Sequence, residues 1–239
     1  CDFEMRLGLQ GEGGKWICDP GKLAAKAAAE SSCLIYSIGS HGQYDFEAAV
    51  HGEISPRCEI HTIDMKNWTR YTNEAPPPYV NYHIYTVGNP PERTDVSTIV
   101  RDLGHVGKHI DIFKIDCEGC EVAMARDILT DDPSFLDKIG QISIETHATK
   151  SWVKTDEELY YYALQFPLLE DAGFKLIWSS VFGCGKFEHD GCRPEMEEKM
   201  NMSCGNRPRN KINKVPIGWS CHDWLWQRQL LRHELIHYV

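Results

Sequence analysis

Apolar residues fall in short runs separated by polar, turn-rich or helix-like stretches. Cys33–Gly39, Cys58–Asp64, Val80–Gly88, Ile110–Asp116, Ile139–His147 and Phe174–Val181 are such runs, and Glu234–Val239 is a seventh. Their brevity and their Val, Ile and Tyr content predict strands rather than helices. Between them, Gly21–Ser31, Asp45–Val50, Val96–Leu103, Val122–Leu129 and Asp156–Gly173 have helical character. Strands alternating with helices predict an α/β fold whose mostly parallel sheet is covered on both faces. A strand returning after the sixth suits an antiparallel edge. The divisions expected are an N-terminal arm and helix (1–32), a Rossmann-like core (33–182), a Cys-rich insertion (183–232) and the final edge strand (233–239).

Composition narrows the setting. The chain has 239 residues, 42% of them hydrophobic, enough for one large domain with its own core. No apolar run reaches the length of a membrane span. A net charge of −10 argues against nucleic acid as a partner, because phosphate must be neutralised by cations. The ten cysteines are an even number, and the sequons Asn67-Trp-Thr69 and Asn201-Met-Ser203 accompany them. Together these point to disulfides and to a secretory-lumen (Golgi-like) or secreted protein, with a cytoplasmic protein carrying buried thiols as the alternative. The chain opens at Cys1 without an initiator Met, which suggests a processed piece whose signal or anchor has been removed.

Chemistry collects at the carboxyl ends of the strands, where open α/β sheets bind ligands. The first strand runs into Gly39-Ser40-His41-Gly42, a turn whose glycines let backbone approach a ligand. The second ends in Asp64, 25 residues past Gly39, near the separation at which nucleotide-binding folds place an acid on ribose hydroxyls. A three-glycine dinucleotide fingerprint is missing, since His41 stands where a second close glycine would fall. A cofactor without a pyrophosphate suits the turn better. The fourth strand leads into Asp116 and Glu118, which share a face while the backbone stays extended, and then into Gly119. The fifth presents Glu145 and His147 on one face, opposite Ile142 and Ile144.

Lys114-Ile-Asp-Cys-Glu-Gly-Cys-Glu121 resembles the Lys-Ile-Asp-x-Glu-Gly-x-Glu signature of FkbM-type methyltransferases, which use S-adenosylmethionine. The resemblance runs in order from Cys33 to His147 through Gly39–Gly42, Asp64, Val87-Gly88, the signature and Glu145. Ile38–Phe46 and Gly13–Cys18 look closer still to the eukaryotic methyltransferase-like branch of that group. The resemblance implies a class I fold with a seven-stranded sheet. It also implies S-adenosylmethionine held by Gly39, Ser40, His41, Gly42, Asp64, Val87, Gly88 and Asp116. Methyl transfer to a hydroxyl, on a small molecule or a glycan, would follow. One departure stands out: Ser37 occupies the place, two before the first glycine, where such enzymes usually carry an acid.

For catalysis, His147 is a suitable base near neutral pH, with Glu145 and Asp116 beside it. Alternatively, Asp116, Glu118, Glu145 and His147 could hold a divalent metal that acidifies the hydroxyl. The metal-free base is slightly favoured. Methylation of a small amine or peptide, and an inactive S-adenosylmethionine-fold binding protein, stay open as rival functions. Other features carry less. Cys117-x-x-Cys120 lacks the second pair a zinc site needs and reads as disulfide partners or buried thiols. Asn89-Pro-Pro-Glu92 is read as a turn. Gln10–Trp16 is read either as a lid with Lys15 or Trp16 on ligand, or as an arm with Trp16 packed on the sheet. Trp219, Trp224 and Trp226 suit core packing better than a sugar platform.

Overall fold

A computed structural model describes residues 1–10, 13–30, 32–72, 74–88, 93–127, 132–147, 155–190 and 214–229. The chain begins with an antiparallel hairpin, β1 (Glu4–Leu7) and β2 (Lys15–Cys18), in which Leu7 pairs with Lys15 and Glu4 with Cys18. Helix α1 (Pro20–Glu30) follows, starting on a proline whose missing N–H costs nothing in a first helical turn. The strands of the main sheet are β3 (Leu34–Ile38), β4 (Glu59–Asp64), β5 (Val80–Ile84), β6 (Ile110–Ile115), β7 (Ile139–His147), β8 (Phe174–Asp190) and β9 (Lys214–Arg228). Helices α2 (Asp45–Ala49, continued by a wider π turn to Ile54), α3 (Thr69–Thr72), α4 (Val96–Asp102), α5 (Cys120–Arg126) and α6 (Asp156–Asp171) connect them.

The seven strands lie in the order β5-β4-β3-β6-β7-β9-β8. Pairing is parallel from β5 through β7, and β9 runs antiparallel to both of its neighbours. This is the α/β fold with a mostly parallel seven-stranded sheet that the alternating pattern predicts. Its central strands β3 and β6 are buried along their whole length, which is why they read as unbroken apolar runs.

Two cores form, one on each face. Tyr36, Ile38, Ile63, Phe113 and Ile115 pack with Val96, Ile99 and Val100 of α4, Met124 of α5 and Leu169 of α6. On the other face Ile35, Ile60 and Ile112 pack with Leu7 and Ile17 of the hairpin, Ala27 of α1 and Phe46 of α2. Helix α6 is fixed at its start by a capping box: Thr155 Oγ1 accepts from the Glu158 amide at 3.1 Å, and the Glu158 carboxylate accepts from the Thr155 amide at 2.9 Å.

One expectation needs correction. The seventh strand of the sheet is β9, within the stretch read as an insertion, and Glu234–Val239 lies outside the described residues. Residues 186–190 also pair with β9, with Lys186 opposite Trp219 and Asp190 opposite Lys214. That pairing is carried by backbone hydrogen bonds, which leave no mark in the side-chain pattern. Of the two readings of the amino-terminal segment, Trp16 packed on the sheet is the one seen, within a hairpin: the Cys18 amide donates to Gln141 Oε1 at 2.8 Å, and Trp16 lies 4.8 Å from Trp178.

Candidate functional site

Parallel strands point their carboxyl ends the same way, so the described residues at the carboxyl ends of β3, β4, β6 and β7 meet along one edge. Asp64, the last residue of β4, turns back to the loop after β3. Its Oδ2 accepts from the amides of Ser40 and His41, both at 2.9 Å, and from the Ser40 hydroxyl at 3.2 Å, while Oδ1 accepts from the Met65 amide at 2.7 Å. The acid thus first organises the glycine turn. Lys114 braces the same turn from β6 by donating to the Gly39 carbonyl.

The glycines of that turn answer to close packing of the protein on itself. Gly39 has φ +81°, and a Cβ there would lie 1.7 Å from the Asp116 carbonyl oxygen. Gly42 has φ +75°, and its Cβ would lie 2.8 Å from Trp68 Cβ. Gly88 has φ +148° beside Arg93 and Ala123, and the adjoining Val87 is buried, bridging to Thr94. Sequence reasoning assigned the first turn's glycines to ligand approach; what needs them here is contact between the β3 and β6 loops and between the β3 loop and α3.

After β6 the chain makes two left-handed residues in succession, Glu118 at φ 56° and Gly119 at φ 118°, between Cys117 and Cys120, which are disulfide-bonded. A positive φ is costly for a residue with a side chain, and here it turns Glu118 outward, its side chain 73% exposed. Burial and the neighbouring acids Asp116, Glu121 and Glu145 raise its pKa, against the opposing pull of His147. Glu121, in the first turn of α5, folds back so that its Oε1 accepts from the Cys117 amide at 3.0 Å.

Four of the predicted residues do converge. His147 Nε2 lies 3.2 Å from Glu145 Oε1 and 3.8 Å from Glu118 Oε1, and Nδ1 lies 3.1 Å from Glu121 Oε1. Asp116 joins through a residue given no catalytic part by the sequence: Lys15 of β2 places its Nζ 2.9 Å from Asp116 Oδ2, 2.7 Å from Glu145 Oε2 and 3.6 Å from Asp223 Oδ1 of β9. Arg6 of β1 reaches Asp223 Oδ2 at 3.4 Å. Acids outnumber cations, so the cluster carries an excess of negative charge. Glu121 Oε2 and Asp223 Oδ1 are buried without a hydrogen-bond partner.

The charges set protonation. Burial opposes a charge on His147, yet its hydrogen bonds to Glu121 and Glu145 and the charges of Glu121 and Glu118 push its pKa up to about 11. These contacts favour the imidazolium at neutral pH, whereas the base expected at this position is the neutral ring. Burial likewise works against the Lys15 ammonium, but Asp116, Asp223 and Glu145 outweigh it and raise its pKa. Asp116 is held below its ordinary value, against its own burial, by Lys15 and Lys114. Asp116, Glu145 and His147 offer ligand atoms within 4.8 Å of one another. Lys15 already neutralises two of those carboxylates, so a divalent metal there would have to displace a buried ammonium.

Glu121, Asp223 and Arg6 were missed, and Lys15 was read as touching ligand rather than as the partner of these acids. Glu121 was visible as the last acid of the signature. Arg6 and Lys15 sit on the two four-residue strands of the hairpin, and Asp223 in a strand hidden inside the insertion, so no local pattern marked their pairing with the acids.

A family model described as "Methyltransferase domain" matches residues 1–175. No curated protein matches. Among solved structures, human methyltransferase-like protein 13 in complex with S-adenosylhomocysteine is 12% identical, with 92% of this chain and 82% of that one covered and a TM-score of 0.46. The Methanococcus jannaschii fibrillarin pre-rRNA processing protein is 11% identical over 93% and 82%, with a TM-score of 0.41. The plantazolicin methyltransferase BpumL in complex with S-adenosylhomocysteine is 13% identical over 88% and 82%, with a TM-score of 0.38.

Proposed function

We propose that this chain, which belongs to the methyltransferase-domain family, is an O-methyltransferase of the FkbM-like kind that uses S-adenosylmethionine and acts on a hydroxyl of a glycan or small molecule. The observation that carries the reading is the negatively charged cluster at the carboxyl ends of β6 and β7, with Glu118 turned outward from it. S-adenosylmethionine, when bound, supplies a methyl group on a positively charged sulfur. An excess of acid beside the strand ends suits that charge. Gly39, Ser40, His41, Gly42, Asp64, Val87, Gly88 and Asp116 are the residues assigned to hold it. Asp64 receives the ribose hydroxyls in exchange for its longest contact, the Ser40 hydroxyl at 3.2 Å.

A hydroxyl becomes an effective nucleophile when it loses its proton. His147 keeps its own proton, so the acceptor is the Glu118 carboxylate. It is exposed, its pKa is raised, and it faces the His147 imidazolium at 3.8 Å. Glu145 and Asp116, fixed by Lys15, hold His147 and the β3 loop in place. Disulfide bonding at Cys1–Cys18, Cys33–Cys58 and Cys117–Cys120 and an exposed sequon at Asn67 support a luminal setting. Such a setting makes a glycan hydroxyl the natural acceptor.

Calorimetry with S-adenosylmethionine and S-adenosylhomocysteine tests the cofactor, and absence of binding to the folded protein rules the reading out. With an acceptor in hand, Glu118→Gln should lower turnover by about 10²–10⁴-fold with cofactor affinity nearly unchanged. Full activity in that variant would favour methylation of an amine, which needs no strong base.

A further inference from the structure

The face of the sheet covered by α4 carries a second cluster of ionisable groups, toward the amino end of β4 and so away from the carboxylates described above. Glu59 and His61 are two apart on β4 and project from one face, and His105 lies in the turn after α4. Glu59 Oε1 is 3.0 Å from His61 Nε2 and 3.2 Å from His105 Nε2. All three ligand atoms lie within 4.8 Å of one another. Bonds of about 2.0–2.1 Å to a tetrahedral ion separate its ligands by roughly 3.3 Å, so two of these distances are already close to those of a bound set.

The far side of each ring is also held. His61 Nδ1 lies 2.8 Å from His83 Nε2, and His105 Nδ1 lies 2.8 Å from the Tyr36 hydroxyl. Both Nε2 atoms are thereby aimed at Glu59, which is how outer partners orient metal-binding imidazoles. Burial lowers the pKa of His61, His83 and His105, which favours the neutral rings that ligate. The Glu59 side chain is 47% exposed, leaving a side open for a water ligand, and Lys108 approaches only its other oxygen, Oε2, at 3.7 Å.

We propose that Glu59, His61 and His105 bind a divalent transition-metal ion of the zinc type, which ties the start of β4 to the turn before β6. Two imidazoles and one carboxylate are a donor set that such ions accept and that calcium and magnesium do not favour. The competing account is a metal-free network in which both Nε2–H groups donate to Glu59 Oε1. The two accounts place protons differently, since ligation requires the hydrogen on Nδ1, where His83 Nε2 and the Tyr36 oxygen can accept it.

Cobalt(II) is the probe, added to protein stripped by chelator. One equivalent should give the visible absorption of a four-coordinate site, be displaced by zinc, and raise the melting temperature. Glu59→Gln and His105→Gln should abolish that spectrum. Tyr36→Phe, which removes an outer partner and keeps the ring, should weaken binding by about 10–100-fold. His147→Gln should bind cobalt as the wild type does. No stoichiometric binding by the wild type overturns the proposal. So does binding that survives Glu59→Gln, with circular dichroism confirming the fold, or binding that is lost in His147→Gln, which would move the metal to the carboxylate cluster.

Discussion

Lys15 is the residue on which the carboxylate cluster turns. Its ammonium is almost fully buried, with a side-chain exposure of 1%, and three acids share it. Removing one partner of a buried ion pair strands the others, typically at about 3–5 kcal/mol. Lys15→Met should lose stability on that order in urea titration, despite its similar length and greater hydrophobicity. A neutral result would mean that the acids protonate or rehydrate without cost. His147 gives a pH-dependent signature from the same cluster. Its folded pKa, about 11, lies above the ordinary unfolded value of about 6.5. A group raised on folding adds stability that is complete below the unfolded pKa and disappears as pH rises through the folded one. The stability gap between the wild type and His147→Gln should therefore be widest below about pH 6.5 and narrow steadily toward pH 11. A gap that grows with rising pH would show that the imidazole is neutral when folded, and would restore it as a candidate base.

At the scale of elements, the site depends on two loops meeting. Gly39 after β3 touches the Asp116 carbonyl after β6 so closely that a methyl group has no room, and its φ of +81° adds a conformational penalty of roughly 1–2 kcal/mol for any other residue. Gly39→Ala should destabilise by more than that penalty and disturb the cofactor turn, whereas Gly21→Ala in α1, where no atom lies within 4 Å of the added carbon, should be harmless. Chemical denaturation of both variants makes the comparison. Equal stabilities would mean that the loops separate easily. The sequence made the strands of this architecture plain because β3, β4, β6 and β7 are buried and β-branched, and it placed Asp64, Asp116, Glu118, Glu145 and His147 at their ends. It left the partners of those acids invisible. The Lys15–Glu145 bond spans 130 positions and the Arg6–Asp223 contact 217, and contacts at such range have no periodic trace. The hairpin strands β1 and β2 are too short to alternate recognisably. The protonation of His147 was illegible for a related reason: its pKa is raised by Glu121 together with Glu145 and Glu118, and the return of Glu121 toward Cys117 needs the left-handed turn at Glu118 and Gly119.

For the whole molecule, the cysteine pairs fix the chain at the amino-terminal hairpin, at the start of β3 and β4 and in the turn after β6. Cys1–Cys18 closes the amino-terminal hairpin that delivers Lys15, over a separation of 17 residues, and Cys33–Cys58 ties the start of β3 to that of β4 over 25. Closing loops of that size restricts the unfolded chain by about 3 kcal/mol each in the chain-entropy picture. Cys117–Cys120 closes a much shorter loop and contributes mainly by fixing the turn that presents Glu118. Protein made through a secretory pathway should show these three pairs by peptide mapping without reductant. Mild reduction should lower the melting temperature chiefly through the first two. Selective opening of the third should leave the melting temperature nearly unchanged while loosening Glu118 and lowering turnover. Free thiols at all six positions in secreted protein would remove the support for a luminal setting, and with it the argument for a glycan acceptor. The methyltransferase fold would stand regardless, because its strand order rests on backbone pairing and its two cores are mostly aliphatic and aromatic, with Cys33, Cys58 and Cys120 as their bridged members.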